Sequence, residues 1–440
     1  MVINSGIGIK KTTWRYLSYI VICVTLTLFP SLPISAAGTD DLEMRIEKLE
    51  KELNDLKLLL QRQKEAKEEA DKPKTESPMV RGFKFKPYGY IKLDAAYDDS
   101  RTNYGNYILY VPSESTNKND NEFSMTARQT RLGIDITAPA GSDWMAQGKV
   151  EIDFYGDGPA VHENKAEILL RHAYLSFNKG NWSVLAGHTS DIFSPLNPAT
   201  LNYIVGWSAG NIGYRRPQIQ IAYNNRLNER NRLITGLSIA RTSGLVNEDL
   251  DADSQNDGEE SGTPTVEARI ALATKSFTEK ESVFGLSGHY GKEEVNWAGG
   301  RQSLKSWSIN FDYDIPLTDK LSIKGEIFKG VNLDDYFGGS LQGVNTVTHD
   351  VISAMGEWVQ VSYKLNDKWL YNAGLGIDNP SDEDLVPGMR SKNGFIYINS
   401  QYKIIPPLTI GFEYSHWKTE YVDTSDGTDN RFQASFIYSW

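Results

Sequence analysis

The last ten residues of the sequence, 431–440, constrain the fold more than any other stretch. Apolar side chains from Phe432 to Trp440 occupy every second position, and mostly polar side chains alternate with them. This period of two is that of a β-strand with one apolar face. A transmembrane barrel needs such strands, apolar toward lipid and mixed toward the lumen. An open strand edge would leave backbone groups unsatisfied in hydrocarbon, so this strand is expected to pair with the first one.

The same alternation recurs from residue 88 onward. It predicts an all-β transmembrane barrel of about sixteen antiparallel strands, an even number as in single-chain bacterial barrels. The expected strands cover residues 88–98, 125–137, 144–154, 168–177, 182–189, 217–224, 232–242, 265–275, 282–292, 304–314, 321–330, 351–365, 370–378, 394–403, 408–418 and 431–440.

The connections between these strands alternate in length. Short turns are expected on one side of the membrane and long loops on the other, as outer-membrane barrels have them. A soluble sandwich has no reason to alternate so strictly. The short turns cover residues 138–143, 178–181, 315–320, 366–368 and 404–407, and the long loops cover 99–124, 190–216, 243–264, 331–350, 379–393 and 419–430.

Residues 1–37 have the pattern of a signal peptide. Lys10, Lys11 and Arg15 precede an apolar run over residues 17–29, and small residues follow at 35–37. An uncleaved anchor is the alternative, but 13 apolar residues are short for a transmembrane helix. The segment therefore predicts export and cleavage near residue 37.

Charge and cysteine content indicate the cellular compartment in which the protein works. The only cysteine, Cys23, follows Val21 and Ile22 rather than small residues, which argues against a lipoprotein. Removal of the leader, with three basic and no acidic residues, takes the formal charge from −11 to −14. An acidic chain gives no electrostatic support for a nucleic-acid partner. An exported, cysteine-free, tyrosine-rich chain fits the Gram-negative envelope.

A heptad pattern over residues 38–71 predicts a periplasmic coiled-coil helix. Its seam has steps of four and three, and the alternative is a single amphipathic helix. A polar linker is expected over residues 72–87 and the barrel over 88–440. The seam consists of Leu42, Ile46, Leu49, Leu53, Leu56 and Leu60.

The long loop over residues 190–216 is expected to fold into the barrel and form the pore constriction. Arginine suits such a site because its planar fork binds both oxygens of a carboxylate. The alternative for each cation is a lumen salt bridge to Asp135, Glu151, Asp153 or Glu167. The candidate constriction and solute-binding residues are Arg128, Arg131, Lys149, Arg171, Asp191, Arg215 and Arg216.

No catalytic or cofactor motif stands out. The six histidines form no ligand pair with metal spacing, so neither a metal site nor a cofactor is predicted. A hydrolase with His172 beside a serine is a weak hypothesis, since nothing singles out a pair. We therefore expect no enzyme.

The acidic loop over residues 243–264 suggests an interaction with divalent cations. Asp249, Asp251 and Asp253 alternate as at the start of a calcium loop, but we interpret the segment as lacking the glycine and the distant glutamate of such loops. We interpret the segment as a solvated loop that recruits divalent cations diffusely.

Five short runs stand out along the chain: GYIKLD at 89–94, ARQTRLG at 127–133, LRHAY at 170–174, AGHT at 186–189 and RPQI at 216–219. In this order they resemble the DcaP-like porins. The resemblance implies a homotrimeric, sixteen-stranded outer-membrane porin with periplasmic N-terminal helices that takes up small anionic solutes such as dicarboxylates. Trp440 stands where phenylalanine is usual at the end of such barrels.

The sequence thus favours a passive porin for small hydrophilic solutes, with anions preferred. The alternative is a structural envelope protein whose coiled coil tethers the outer membrane to peptidoglycan.

Overall fold

The computed structural model describes residues 57, 79–80, 82–117, 120–139, 143–156, 160–242 and 249–440. The chain divides into two units, Met1–Glu76 and Ser77–Trp440. The predicted signal peptide and, apart from Lys57, the predicted coiled coil lie outside the described residues. Within the described part, no helix has the length and apolar character to cross a membrane.

The second unit is built almost entirely of β-strands. They are β1 (Met79–Val80), β2 (Phe83–Asp98), β3 (Glu122–Thr126), β4 (Arg131–Thr137), β5 (Met145–Asp153), β6 (Leu169–Lys179), β7 (Trp182–Ser190), β8 (Arg215–Arg226), β9 (Asn231–Ala240), β10 (Thr265–Thr274), β11 (Ser282–Trp297), β12 (Gly300–Pro316), β13 (Leu321–Val331), β14 (Val344–Asn345), β15 (Asp350–Val351), β16 (Ser353–Lys364), β17 (Trp369–Pro380), β18 (Arg390–Ile405), β19 (Leu408–Tyr421) and β20 (Gly427–Ser439).

Short helices lie in the connections. Among the described residues of these connections, two are α-helical, α1 (Glu114–Asn117) and α2 (Asp257–Glu260), and three are 3₁₀ turns at Ala160–Lys165, Asp334–Tyr336 and Asp382–Asp384.

The strands form a closed antiparallel barrel of sixteen strands, as predicted. β3 and β4 are two halves of one interrupted strand, because both pair with β2. The barrel closes where β20 pairs with β2, from Tyr90 opposite Ser439 to Asp98 opposite Arg431. β2 begins at Phe83, inside the stretch expected to be linker, because its first half pairs with β4.

The barrel exposes apolar side chains and buries polar ones, which is the reverse of a soluble protein. On β20 the aromatic side chains of Phe432, Phe436 and Tyr438 are exposed, whereas Arg431 and Ser435 are buried. Exposed apolar side chains alternate with inward polar ones on the other barrel strands as well. This is the pattern of a wall with lipid outside and polar groups inside.

Long loops fill part of the interior. One apolar cluster brings together Tyr107 and Leu109 from the loop after β2, Ile204 and Trp207 from the loop after β7, and Leu341 from the loop after β13. The apolar core of this protein therefore lies between loops, within the polar interior of the barrel.

Candidate functional site

The loop after β7, residues 191–214 and hereafter the inward loop, follows the inner wall of the barrel. Backbone amides of this loop donate hydrogen bonds to side-chain oxygens on successive parts of the wall, and four of these bonds are 3.0 Å or shorter. The pairs are Ile192 with Glu267 on β10 (3.0 Å), Leu196 with Glu326 on β13 (2.8 Å), Ala199 with Gln360 on β16 (2.5 Å) and Leu201 with Glu413 on β19 (2.6 Å).

Beyond these contacts the inward loop crosses the closing seam. The carbonyl oxygen of Leu201 accepts hydrogen bonds from Lys92 Nζ on β2 at 2.8 Å and from Gln433 Nε2 on β20 at 2.9 Å. Tyr203 then donates its hydroxyl to Asp153 Oδ2 on β5 at 3.2 Å. Burial raises the pKa of Tyr203 well above its ordinary value, so its hydroxyl keeps its proton. The loop thus follows the wall from β10 round to β5.

Gly210 allows the returning half of the loop to lie against the wall. Its φ is +107°, and a Cβ at this position would collide with the carbonyl oxygen of Glu357 on β16. Only glycine combines this backbone conformation with so close an approach.

The inward loop divides the wall into a covered and an accessible part. Glu267 and Glu326, beneath the loop, are 0% exposed. The inward side chains of Arg131 on β4 and Lys149 on β5 are 21% and 24% exposed. Solute in the lumen therefore meets the side chains of β4, β5 and β6.

Two arginines on this accessible wall share two carboxylates. Arg171 Nε lies 2.8 Å from Glu151 Oε1, and its Nη1 lies 2.7 Å from Asp153 Oδ2. Arg131 approaches the same carboxylates less closely, at 3.5 Å and 3.8 Å. Arg131 is thus the more weakly held of the two guanidinium groups.

Lys149 completes a chain of polar contacts. Its Nζ lies 2.7 Å from Asp135 Oδ1 and donates to the hydroxyl of Tyr88 at 2.8 Å. That hydroxyl donates in turn to Glu151 Oε2 at 2.8 Å. The structure therefore places Arg131, Lys149 and Arg171, hereafter the arginine wall, together and in lumen salt bridges.

Asp191 and Arg216 lie apart from this wall, at the base of the inward loop. Arg216 Nε is 2.9 Å from Asp191 Oδ1, and both side chains are 1% exposed. Asp191 Oδ2 accepts a hydrogen bond from Tyr214 N at 2.9 Å. The pair therefore joins the two ends of the inward loop, away from solvent.

Arg128 has a comparable architectural position. It is buried where β3 gives way to β4, and its Nε donates to the carbonyl oxygen of Phe154 at 2.9 Å. Its guanidinium lies 4.7 Å from the ring centre of Tyr155. These contacts fix the bend between the two half-strands to the end of β5.

Arg215 differs from the other candidates. Its guanidinium lies 4.5 Å from the ring centre of Tyr214 and 5.7 Å from that of Trp207. Its Nε and Nη2 atoms are buried and have no hydrogen-bond partner among the described residues. No carboxylate in that part of the chain lies within ion-pair distance, so the charge of Arg215 is not neutralised there.

Sequence reasoning missed the residues that hold the inward loop. Glu267, Glu326, Gln360 and Glu413 occupy inward positions of predicted strands, and an acidic or amide side chain at such a position was the available signal. The hydrolase hypothesis gains no support, because His172 Nδ1 lies 3.0 Å from the hydroxyl of a threonine, Thr189.

A closed sixteen-stranded barrel with lipid-facing aromatics, a polar interior and a long loop folded inside is an outer-membrane channel of the porin class. The chain belongs to the DcaP outer membrane protein family, whose model matches residues 40–257. The resemblance to the DcaP-like porins is thereby confirmed. Family and fold point to a channel rather than an enzyme, located in the outer membrane.

Solved structures share the fold. The outer membrane channel DcaP of Acinetobacter baumannii is 21% identical, with a TM-score of 0.65, and the match covers 83% of this chain and 100% of that one. An anion-selective porin from Comamonas acidovorans is 11% identical, with a TM-score of 0.53 and coverage of 81% and 100%. Salmonella typhi OmpF is 13% identical, with a TM-score of 0.51 and coverage of 82% and 98%. None of the curated proteins matches the sequence.

Proposed function

We propose that this channel lets small hydrophilic solutes cross the outer membrane by passive diffusion and favours small anions such as dicarboxylates. The observation that carries the proposal is the division of the wall. The inward loop covers Glu267, Glu326 and Glu413 and satisfies them with backbone amides, whereas the arginine wall stays accessible. An acidic chain can thus expose cationic side chains to solute while three of its carboxylates stay covered.

The balance of charge near the accessible wall depends on Arg215, a buried residue that is 7% exposed. Arg131, Lys149 and Arg171 are matched by three carboxylates, which leaves that group near neutrality. Arg215 adds a positive charge without a carboxylate partner among the described residues. Because this charge is buried against Tyr214 and Trp207, we expect it to favour a passing anion through the electrostatic potential rather than by direct contact.

Two of the similar structures support this proposal by their descriptions. One is an outer membrane channel and another is an anion-selective porin. The cationic groups of this chain supply a physical reason for the same preference here.

Planar-bilayer recordings test the proposal. We expect purified protein to give defined conductance steps and a reversal potential in asymmetric salt that indicates anion preference. Arg215→Gln is expected to lower the anion-to-cation permeability ratio, while Arg232→Gln, which removes the same charge from an exposed pair with Glu281, leaves it unchanged. If correctly folded protein gives no conductance steps, the proposed channel function is wrong. Equal reversal potentials for the wild type and Arg215→Gln would overturn the role of Arg215.

The assembly is proposed to be a homotrimer with residues 38–71 as a periplasmic coiled coil. The heptad seam in the sequence favours this arrangement, since its apolar stripe is narrow for packing on a globule. Native mass measurement of the protein with and without residues 40–70 tests the coil's contribution. A peptidoglycan pull-down with the same pair of proteins tests the envelope-tether alternative, which requires capture that depends on residues 40–70.

A further inference from the structure

A group of carboxylates lies in the loop that connects β9 and β10. There are two sets of three side chains, and within each set one oxygen from every side chain lies within 4.8 Å of the other two. These sets are Asp249, Asp251 and Asp257, and Asp251, Asp253 and Glu260. Acidic groups that are close together repel each other, so the arrangement alone shows only that charge is concentrated here.

The spacing of these residues matches a twelve-residue calcium loop. Such loops carry oxygen ligands at positions one, three, five, nine and twelve and a backbone carbonyl at seven. Glu260 occupies position twelve when Asp249 is position one, so the expectation that the distant glutamate is missing was wrong. Ser254 stands at position six, where glycine is usual, and has the left-handed φ of +72° that this position requires.

Asp257 supplies an independent indication of a ligand. Its side chain is only 1% exposed, and its Oδ2 accepts a hydrogen bond from Leu250 N at 2.8 Å. Its Oδ1 is buried and has no hydrogen-bond partner in the described part of the chain, and the same holds for Glu260 Oε2. Buried carboxylate oxygens without a donor are costly unless a cation neutralises them.

We propose that residues 249–260 bind one calcium ion. Five carboxylates and a carbonyl oxygen suit the six to eight oxygen ligands of calcium better than the strict octahedron of magnesium. The ligands are the side chains of Asp249, Asp251, Asp253, Asp257 and Glu260 and the backbone carbonyl of Gln255. The site replaces the diffuse recruitment of cations expected from the sequence.

The site is connected to the barrel. Asp251 Oδ2 accepts a hydrogen bond from Asn296 N on β11 at 2.5 Å. Leu250 packs against an apolar cluster that contains Val295 of β11 and Leu304 of β12. A bound ion would therefore stiffen β10, β11 and β12 at the ends that lie next to this loop.

Calorimetric titration of calcium chloride into folded, chelator-treated full-chain protein tests the site. We expect saturable binding of one ion per chain, weaker binding of magnesium, and an affinity at least about tenfold lower in Asp257→Asn and Glu260→Gln, since ligand charge sets affinity. Glu259→Gln is the matched control, because it removes the same charge from a side chain paired with Arg241 instead, at 2.7 Å.

Three results would overturn the proposal. They are an absence of saturable heat from the wild type, wild-type affinity in both ligand variants, and equal weakening in Glu259→Gln and Asp257→Asn, which would indicate diffuse attraction. Heat-modifiable migration on gels reports whether each variant is folded. If Asp257→Asn does not fold, Glu260→Gln decides, because its side chain is partly exposed.

Discussion

Asp98 and Arg431 form a buried, two-pronged ion pair across the seam that closes the barrel. Arg431 Nε lies 2.7 Å from Asp98 Oδ1, and Nη2 donates to Oδ2 at 2.9 Å. The residues are 333 positions apart in the sequence and directly opposite each other on β2 and β20. Both side chains are fully buried. The first and last strands of the barrel are thus joined by charge as well as by backbone hydrogen bonds.

Removal of one partner should weaken this seam. Arg431→Met leaves the carboxylate of Asp98 buried without its cation, which costs about 3–5 kcal/mol of stability. The midpoint of heat-modifiable gel migration, or of denaturant unfolding in detergent, measures the loss. Arg232→Met is the control, because its pair with Glu281 is exposed and such pairs contribute about 0–1 kcal/mol. Equal losses in both variants would contradict the role of the seam pair.

The inward loop should loosen when its anchor on β13 is removed. Glu326 accepts hydrogen bonds from Leu196 N at 2.8 Å, Ser194 Oγ at 3.1 Å and Trp358 Nε1 at 3.1 Å. Glu326→Leu leaves these buried donors unsatisfied, at about 1–3 kcal/mol for each donor. We expect folded barrels with noisier single-channel currents and a protease-sensitive inward loop.

The matched variant for that experiment is Glu294→Leu. Glu294 pairs with Lys292 and Arg301, and none of the three belongs to the inward loop. Its currents should stay as steady as those of the wild type. Steady currents and an intact loop in Glu326→Leu would show that the other wall contacts hold the loop without it.

Arg216 should matter for folding rather than for selectivity. Arg216→Gln breaks a fully buried pair with Asp191 at the base of the inward loop, with an expected cost of about 3–5 kcal/mol. The molecules that fold should keep the wild-type reversal potential, in contrast to Arg215→Gln.

A double variant separates the two explanations for Arg216. Arg216→Met with Asp191→Leu removes both charges and should recover part of the stability, since no unpaired charge stays buried. A shifted reversal potential in well-folded Arg216→Gln would instead assign Arg216 to the pore.

Trp440 should support assembly more than conduction. Its backbone N–H donates to the carbonyl oxygen of Gly89 at 3.2 Å, and its ring lies close enough that a Cβ at Gly89 would be 3.0 Å from it. Trp440→Ser is expected to lower the yield of folded barrel in the outer membrane and to leave the conductance of assembled channels unchanged. Trp440→Phe keeps an aromatic ring and should assemble almost as well as the wild type. Normal yield of the serine variant would contradict this.

The barrel itself could be predicted from the sequence because its cause is local. Every lipid-crossing strand must alternate apolar and polar side chains, so each of the sixteen predicted ranges overlaps an observed strand. The pairing of residues 88–98 with 431–440 followed from the need to satisfy the backbone hydrogen-bonding groups at both edges of the sheet. The start of β2 at Phe83 was missed although Phe83 and Phe85 alternate with Lys84 and Lys86, because Pro87 lacks the N–H of a regular strand position.

What the lumen presents to solute was decided by the tertiary structure. Glu326 and Glu151 occupy equivalent inward positions in the sequence pattern, yet only the path of the inward loop determines that Glu326 is covered by backbone amides. Arg215 and Arg216 are neighbours in the chain, but the packing of the loops inside the barrel gives them different partners. Arg216 therefore meets Asp191, whereas Arg215 lies against Tyr214 and Trp207. Local sequence specifies which face a side chain takes, and long-range packing specifies what it meets there.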